Sequence, residues 1–197
     1  FTLLTSHFMG VDRRTFERDL DEKRCAILLE DDASRLHGFS TMVVYESHAA
    51  GRPVRVVYSG DTIVDRAWWG TPALARSWVR AVRQLAPANV RDVYWLLLTS
   101  GFRTYRFLPV FFRDFYPRYD SQWCLEQELL AALARERFGP QYDDVSGIVR
   151  LSTPQVLAPD LIGLPAGRLT DPHVAFFLTR NPGFVGAPVA TATSATP

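Results

Sequence analysis

An α+β fold is predicted for this chain: a mixed β-sheet, laid down as an antiparallel meander followed by βαβ crossovers, with helices on both faces. Three observations carry that expectation. Three strand-like runs follow one another between residues 25 and 64, separated only by short polar turns. A helical repeat, Leu74, Trp78, Val82 and Leu85, comes next and leads into another apolar run, VYWLLLT at 93–99. Strand, helix and strand in succession make a parallel crossover, and a mixed sheet follows from joining it to a meander. Two further helical patterns then supply cover for the second face.

Each element has a local reason. GVDRRTFERDLDEK at 10–23 sets Phe16 and Leu20 four apart among charges, one narrow apolar stripe on a surface helix, with Asp12 or Thr15 as its cap. CAILLE at 25–30 reads as a buried strand, DDASR as a turn, and 36–47 as the strand that completes a hairpin. HAAGRP at 48–53 is a second turn and VRVVYSGDTIV at 54–64 a third, longer strand. Its Ser59-Gly60 pair interrupts the alternation, which predicts a bulge or a close approach of another group to the backbone. Thr71 and Pro72 suit the cap and first residue of the next helix. FRTYRFLPVFFRDFYP after Gly101 forms an aromatic helix, kinked or broken by Pro109. QWCLEQELLAALARERF at 122–138 is an amphipathic helix closed by Gly139-Pro140. The pattern then weakens to a short strand at 146–151 and a short helix at 170–178. The chain thus divides into a core at 1–140, an extension packed on it at 141–185, and a small, Pro-containing tail at 186–197 that is expected to be disordered.

Composition narrows the function. The 197 residues, 47% hydrophobic, suffice for one sizeable core. A net charge of +1 leaves no global basic field for nucleic acid. Cys25 and Cys124 belong to no CxxC pair, and His7, His37, His48 and His173 are scattered, so no metal site is expected. The longest apolar runs are strand-length, short of the ~20 residues that cross a bilayer. A cytoplasmic protein without a membrane span is the simplest reading. Phosphate loops, dinucleotide fingerprints and nucleophile elbows are missing from the sequence.

The informative stretch is YSGDTIVDRAWWGTP at 58–72. A strand with a Gly-containing interruption ends in an Arg-bearing turn, and a helix starts there. A helix N-terminus offers free N–H groups and a partial positive charge, a ready site for phosphate. This unit resembles the acyl-CoA site of the GNAT superfamily of N-acetyltransferases. There a bulged strand holds the pantetheine arm, and a loop of pattern Arg/Gln-x-x-Gly-x-Gly/Ala leads into a helix that takes the pyrophosphate. The resemblance spans about Gly10 to Tyr116, by topology more than by motif. RAWWGT keeps Arg66 but has Trp69 at the first Gly position and Thr71 at the second. From Gln141 onward the chain departs from the family's usual ending, where two more strands are expected.

The resemblance implies acyl transfer to an amine by direct attack. The donor is acetyl-CoA, a longer acyl-CoA or an acyl carrier protein, and the acceptor a small-molecule amine. It places the donor on Ile63, Val64, Arg66, Trp69, Gly70 and Thr71. Tyr105 is the general acid it suggests, whereas alignment on FFRDFYP puts Phe112, which has no proton to give, in that place. Asp61 stands on its own chemistry: an acid in an apolar strand is either a base, an amine-binding group, or a partner of an Arg such as Arg55 or Arg103. The C-terminal segment shapes the acceptor pocket or pairs subunits into a homodimer. The competing readings are a non-catalytic ligand-binding or interaction domain of the same fold, and tryptophans 68 and 69 serving only as core anchors.

Overall fold

The computed structural model describes residues 1–85, 92–120, 124–152, 155–164, 166–183 and 190–195. Helix α1 (Thr2–His7) runs into a short strand β1 (Phe8–Met9), which pairs with β9 (Val156–Leu157) as a separate two-stranded ribbon. Helix α2 (Arg13–Asp21) starts at Asp12, whose carboxylate accepts the Thr15 N–H at 2.8 Å. The meander follows: β2 (Cys25–Glu30), β3 (Leu36–Ala49) and β4 (Arg52–Val64). Ala50 and Gly51, at φ 50° and 76°, make the tight turn between β3 and β4, as two-residue hairpins require. β2 is an edge strand, so Leu28 is exposed and only Leu29 of its apolar run is buried.

Helix α3 (Ala73–Leu85) carries the chain over to β5 (Val93–Thr99), which lies parallel to β4. The aromatic segment then forms two short helices, α4 (Phe102–Tyr105) and α5 (Phe107–Phe111), and a strand β6 (Phe115–Tyr116). The break comes at Arg106 because Pro109 has no N–H for the Tyr105 carbonyl four residues back. Helix α6 (Cys124–Phe138), strands β7 (Tyr142–Asp143) and β8 (Ile148–Val149), helix α7 (Pro172–Arg180) and strand β10 (Ala190–Ala195) complete the chain. The expected start of α6 at Gln122 lies outside the described residues. Among the described residues, no helix is long and apolar enough to cross a membrane.

The main sheet has the order β2-β3-β4-β5-β10-β8-β7, with β6 also on β10. This corrects the expectation for the C-terminus. Rather than a disordered tail, Ala190–Ala195 is a strand that pairs antiparallel with β5, Thr191 opposite Thr99 and Ala195 opposite Trp95. Residues 186–189 and 196–197 lie outside the described residues. Among the described residues the segment after Gln141 adds four strands, β7 to β10, of which β9 pairs with β1 and β10 with β5.

Alternation along β4 and β5 assigns the two faces. Val57, Trp95 and Leu97 pack with Trp78 and Val82 of α3 and with α4, α5 and α7. Val56, Tyr58, Tyr94 and Leu96 point the other way, onto Leu129, Leu130 and Leu133 of α6. Helices therefore cover both faces of a mixed sheet. A third cluster, Leu4, Phe39 and Ile63, seats α1 and α2 against the far end of β3 and β4.

Two irregularities shape the end of β4. Met42 pairs with Ser59 but Ser40 with Thr62, so Gly60 and Asp61 together oppose Thr41: a β-bulge at the Ser59-Gly60 interruption. On its other edge β4 pairs with β5 only from Arg55↔Val93 to Ser59↔Leu97, although β4 continues to Val64. Beyond Ser59 the two strands part. Gly38 fixes β3 to this parted end, since a Cβ there would sit 2.9 Å from the Ile63 carbonyl oxygen and 3.3 Å from the Val64 Cα. Backbone cannot yield as a side-chain tip does, so Gly38→Ala is expected to cost about 1–3 kcal/mol of stability in chemical denaturation.

Candidate active site

A cleft of about 490 Å³ opens where β4 leaves β5. Thr62, Ile63 and Val64 form one wall; Ser100, Arg103 and Thr104, at the start of α4, form another. The mouth is the turn from Trp68 to Pro72 with the first residues of α3. Of the residues expected at a donor site, Ile63, Val64, Trp69, Gly70 and Thr71 line this cleft.

The tryptophans that break the motif have structural work to do. A single turn of 3-10 helix (Arg66–Trp68) leads from β4 toward α3. The Trp69 indole N–H donates to the Val64 carbonyl at 2.8 Å, closing the turn back onto the strand. The Arg103 guanidinium lies 4.3 Å from the Trp69 ring centre and donates to the carbonyls of Leu161 (2.8 Å) and Gly163 (3.0 Å). Trp68 stacks on His37 at 4.6 Å and an interplanar angle of 18°. Both rings are part of the scaffold of the turn. Gly70 takes φ +88°, a left-handed conformation, with open space where a Cβ would be.

Thr71 does not cap α3 as expected. Its hydroxyl donates to the Trp68 carbonyl at 3.0 Å, within the turn. The first N–H groups of a helix have no intrahelical acceptor. They are thus presented at the cleft mouth together with the positive end of a 13-residue helix dipole. Arg66 is not among the residues that line the cleft; its side chain is 67% exposed, 4.0 Å from Asp160, with its guanidinium 5.7 Å from the Trp69 ring centre.

His37 braces the turn from beneath. Its Nε2 is 2.9 Å from Asp31 and its Nδ1 3.2 Å from Asp65, and the Asp65 N–H donates to the His37 carbonyl. The Asp31 hydrogen bond, aided by Asp65 and opposed by burial, holds the imidazole above its ordinary pKa. A raised basic group stabilises the fold fully below its unfolded pKa and loses that contribution as pH rises through the folded one. The stability gap between wild type and His37→Gln should therefore shrink as pH rises above the ordinary imidazole value of about 6.5, as read by melting temperature over a pH series.

The two acid–base candidates part company. Tyr105 is 1% exposed, packs among Phe115, Phe176 and Phe177, and donates its hydroxyl to the Pro117 carbonyl at 3.0 Å. Burial pushes its phenol well up. It sits in the core, away from the cleft, because the break at Arg106 turns α4 onto α7. Asp61 lies in the bulge, one residue before the cleft wall. Burial, reinforced by Asp19 and opposed by Lys23, raises its carboxyl to about 6. The charges that act on it are Asp19 of α2 and Lys23 just beyond that helix, and neither Arg55, which pairs with Glu46, nor Arg103 is its partner. Sequence reasoning gave Lys23, the single lysine among 22 basic residues, no functional role.

No family model matches the chain, and no curated protein does. Solved structures do. An acetyltransferase from Trypanosoma brucei matches 56% of this chain and 76% of its own at 14% identity, with a TM-score of 0.38. A mutant Bacillus halodurans protein matches 57% of this chain and 71% of its own at 18% identity, with a TM-score of 0.43. Glucosamine-6-phosphate N-acetyltransferase from Arabidopsis thaliana matches 56% and 75% at 12% identity, with a TM-score of 0.37. Scores of this size decide nothing about chemistry, which rests on the geometry of the cleft.

Proposed function

We propose that this protein is a GNAT-type acyltransferase that moves an acyl group from a CoA thioester to a small amine. The observation that carries the reading is the parting of the parallel strands β4 and β5 after Ser59↔Leu97, with the N-terminus of α3 at the mouth of the cleft so formed. In open α/β sheets, ligands enter at the carboxyl ends of parallel strands. An extended pantetheine arm lies in the gap and hydrogen-bonds the edge of β4 that β5 has left. The pyrophosphate meets the first turn of α3, where Gly70 lets the backbone come close.

The distal nucleotide has a place as well. A second groove of about 420 Å³, floored by Ala75, Val79 and Phe111, adjoins the cleft and carries Arg76, Arg80 and Arg83 along one stripe of α3. Among the described residues these three arginines make no ion pair with a carboxylate. They suit a 3′-phosphate, and favour free CoA over a carrier protein as donor. Removing that phosphate is expected to weaken binding about tenfold, some 1.4 kcal/mol. Competition between CoA and 3′-dephospho-CoA measures it.

In the reaction the amine attacks the thioester carbonyl. The C–N bond forms, the C–S bond breaks, and CoA leaves as a thiolate. Asp61 takes the proton from the attacking nitrogen. Ser100 and Thr104 offer hydroxyls to the departing sulfur. The test is a screen of primary amines with acetyl-CoA and longer acyl-CoA, read as free thiol. Amine-dependent thiol release supports the reading; binding without release under any acceptor points to the non-catalytic alternative.

A further inference from the structure

The cleft carries charge of one sign. Among the described residues its lining holds Arg103, Arg106 and Arg168, and neither an Asp nor a Glu. Arg106 is neutralised by Asp171, 3.1 Å away. Arg103 and Arg168 make no ion pair with a carboxylate among the described residues. Arg103 is also held in place. Its guanidinium lies 4.3 Å from the Trp69 ring centre and 4.8 Å from that of Phe102, and its terminal nitrogens donate to the Leu161 and Gly163 carbonyls. Carbonyl oxygens fix the plane of the group but leave its charge uncompensated, with N–H groups to spare. Burial, with Arg66 adding to it, lowers its pKa from the ordinary value, as befits a cation without a counter-ion.

The donor does not account for this charge. Its pantetheine, pyrophosphate and 3′-phosphate are served by β4, the first turn of α3, and Arg76, Arg80 and Arg83. Arg103 is tied instead to the C-terminal extension. The extension also supplies Arg168, Leu157 and Leu161 to the cleft, beside Phe8 of β1. Pairing of β1 with β9 brings these parts together. The result is an apolar surface with two arginines that the donor leaves free. We propose that Arg103 and Arg168 bind the acid group of the acceptor, a small amine that also carries a carboxylate, such as an amino acid with an apolar side chain. This rests on the reading of the cleft as an acyltransferase site. A guanidinium gives a carboxylate parallel N–H bonds. The side chain lies on Leu157, Leu161 and Phe8, and the amine is left for the thioester.

The test uses pairs that differ in the acid alone: leucine with leucinamide, and phenylalanine with phenylalaninamide, compared at equal free-amine concentration. Transfer from acetyl-CoA is read as free thiol, and binding to the CoA-loaded protein by calorimetry. The wild type should favour each acid at least about tenfold, in kcat/KM and in Kd. Arg103→Gln and Arg168→Gln should each remove most of that preference, with the Kd of CoA unchanged. Amides accepted as well as acids overturn the proposal and leave the acyltransferase reading standing. So does a preference kept in both variants while CoA binding falls, which would put the arginines on the donor phosphates. Arginine-dependent binding of the acids without transfer keeps the acid site and overturns the acyltransferase reading. Neither binding nor turnover of either acid overturns the proposal. Should Arg103→Gln fail to fold, Arg168→Gln carries the test, and an unchanged preference there overturns it.

Discussion

Asp61→Asn is expected to lower kcat about 10²- to 10⁴-fold while acetyl-CoA binds as before. The bulge keeps its shape, since Asn is nearly isosteric, and the donor contacts lie on Thr62 to Ala75. What is lost is the acceptor of the amine proton. The pH profile sharpens the expectation. With its carboxyl raised to about 6, Asp61 is ionised only above that pH, so kcat/KM should fall toward acid with a midpoint near that value. The same limb should be missing from the residual activity of Asp61→Asn. Stability runs the other way. A folded-state carboxyl that holds its proton more tightly than the unfolded one makes the fold lose stability as pH rises from about 4 to about 6. Asp61→Asn should remove that slope, which a series of chemical denaturations across those pH values would detect.

The largest structural effect is expected at Trp95. Its ring is 4% exposed, lies 4.0 Å centre to centre from Trp78 and 5.1 Å from Phe112, and its indole N–H donates to the Ser59 hydroxyl at 2.7 Å. Trp95→Ala leaves a large cavity between the sheet and α3 and should cost about 3–5 kcal/mol. Trp95→Phe keeps most of the ring but strands the Ser59 hydroxyl, at about 1–3 kcal/mol. Chemical denaturation separates the two. The functional consequence is specific, because Ser59 is the last residue of β4 that pairs with β5. Loosening it moves the point at which the cleft begins. Trp95→Phe should therefore weaken donor binding even under conditions where the protein is folded.

The meander and the crossover were legible because their signals are local. Alternation in β3 and β4, helical spacing in α3, and a seven-residue apolar run in β5 each depend on near neighbours. The bulge was legible for the same reason. β10 was not, since ATATSA is short and weakly apolar, and its strand character comes from β5, β6 and β8 around it. Tyr105 was misplaced because its side chain is directed by the break before Pro109, which turns a single aromatic helix into two. Sequence spacing located that break but not its angle. The tryptophans were opaque because their partners, Val64 and Arg103 for Trp69 and His37 for Trp68, come from other elements. Lys23 and Gly60 meet across 37 positions, and only the fold brings them together.

The central claim is that the gap between β4 and β5 is a donor site. A calorimetric titration with acetyl-CoA, repeated with Gly70→Val, tests it most directly. A branched residue cannot take the +88° φ of Gly70 without strain, and its side chain intrudes where phosphate approaches. Saturable one-to-one binding to the wild type, weakened at least about tenfold in Gly70→Val, is the predicted result. No heat and no stabilisation with acetyl-CoA or any longer acyl-CoA, from a protein that is folded, would contradict it.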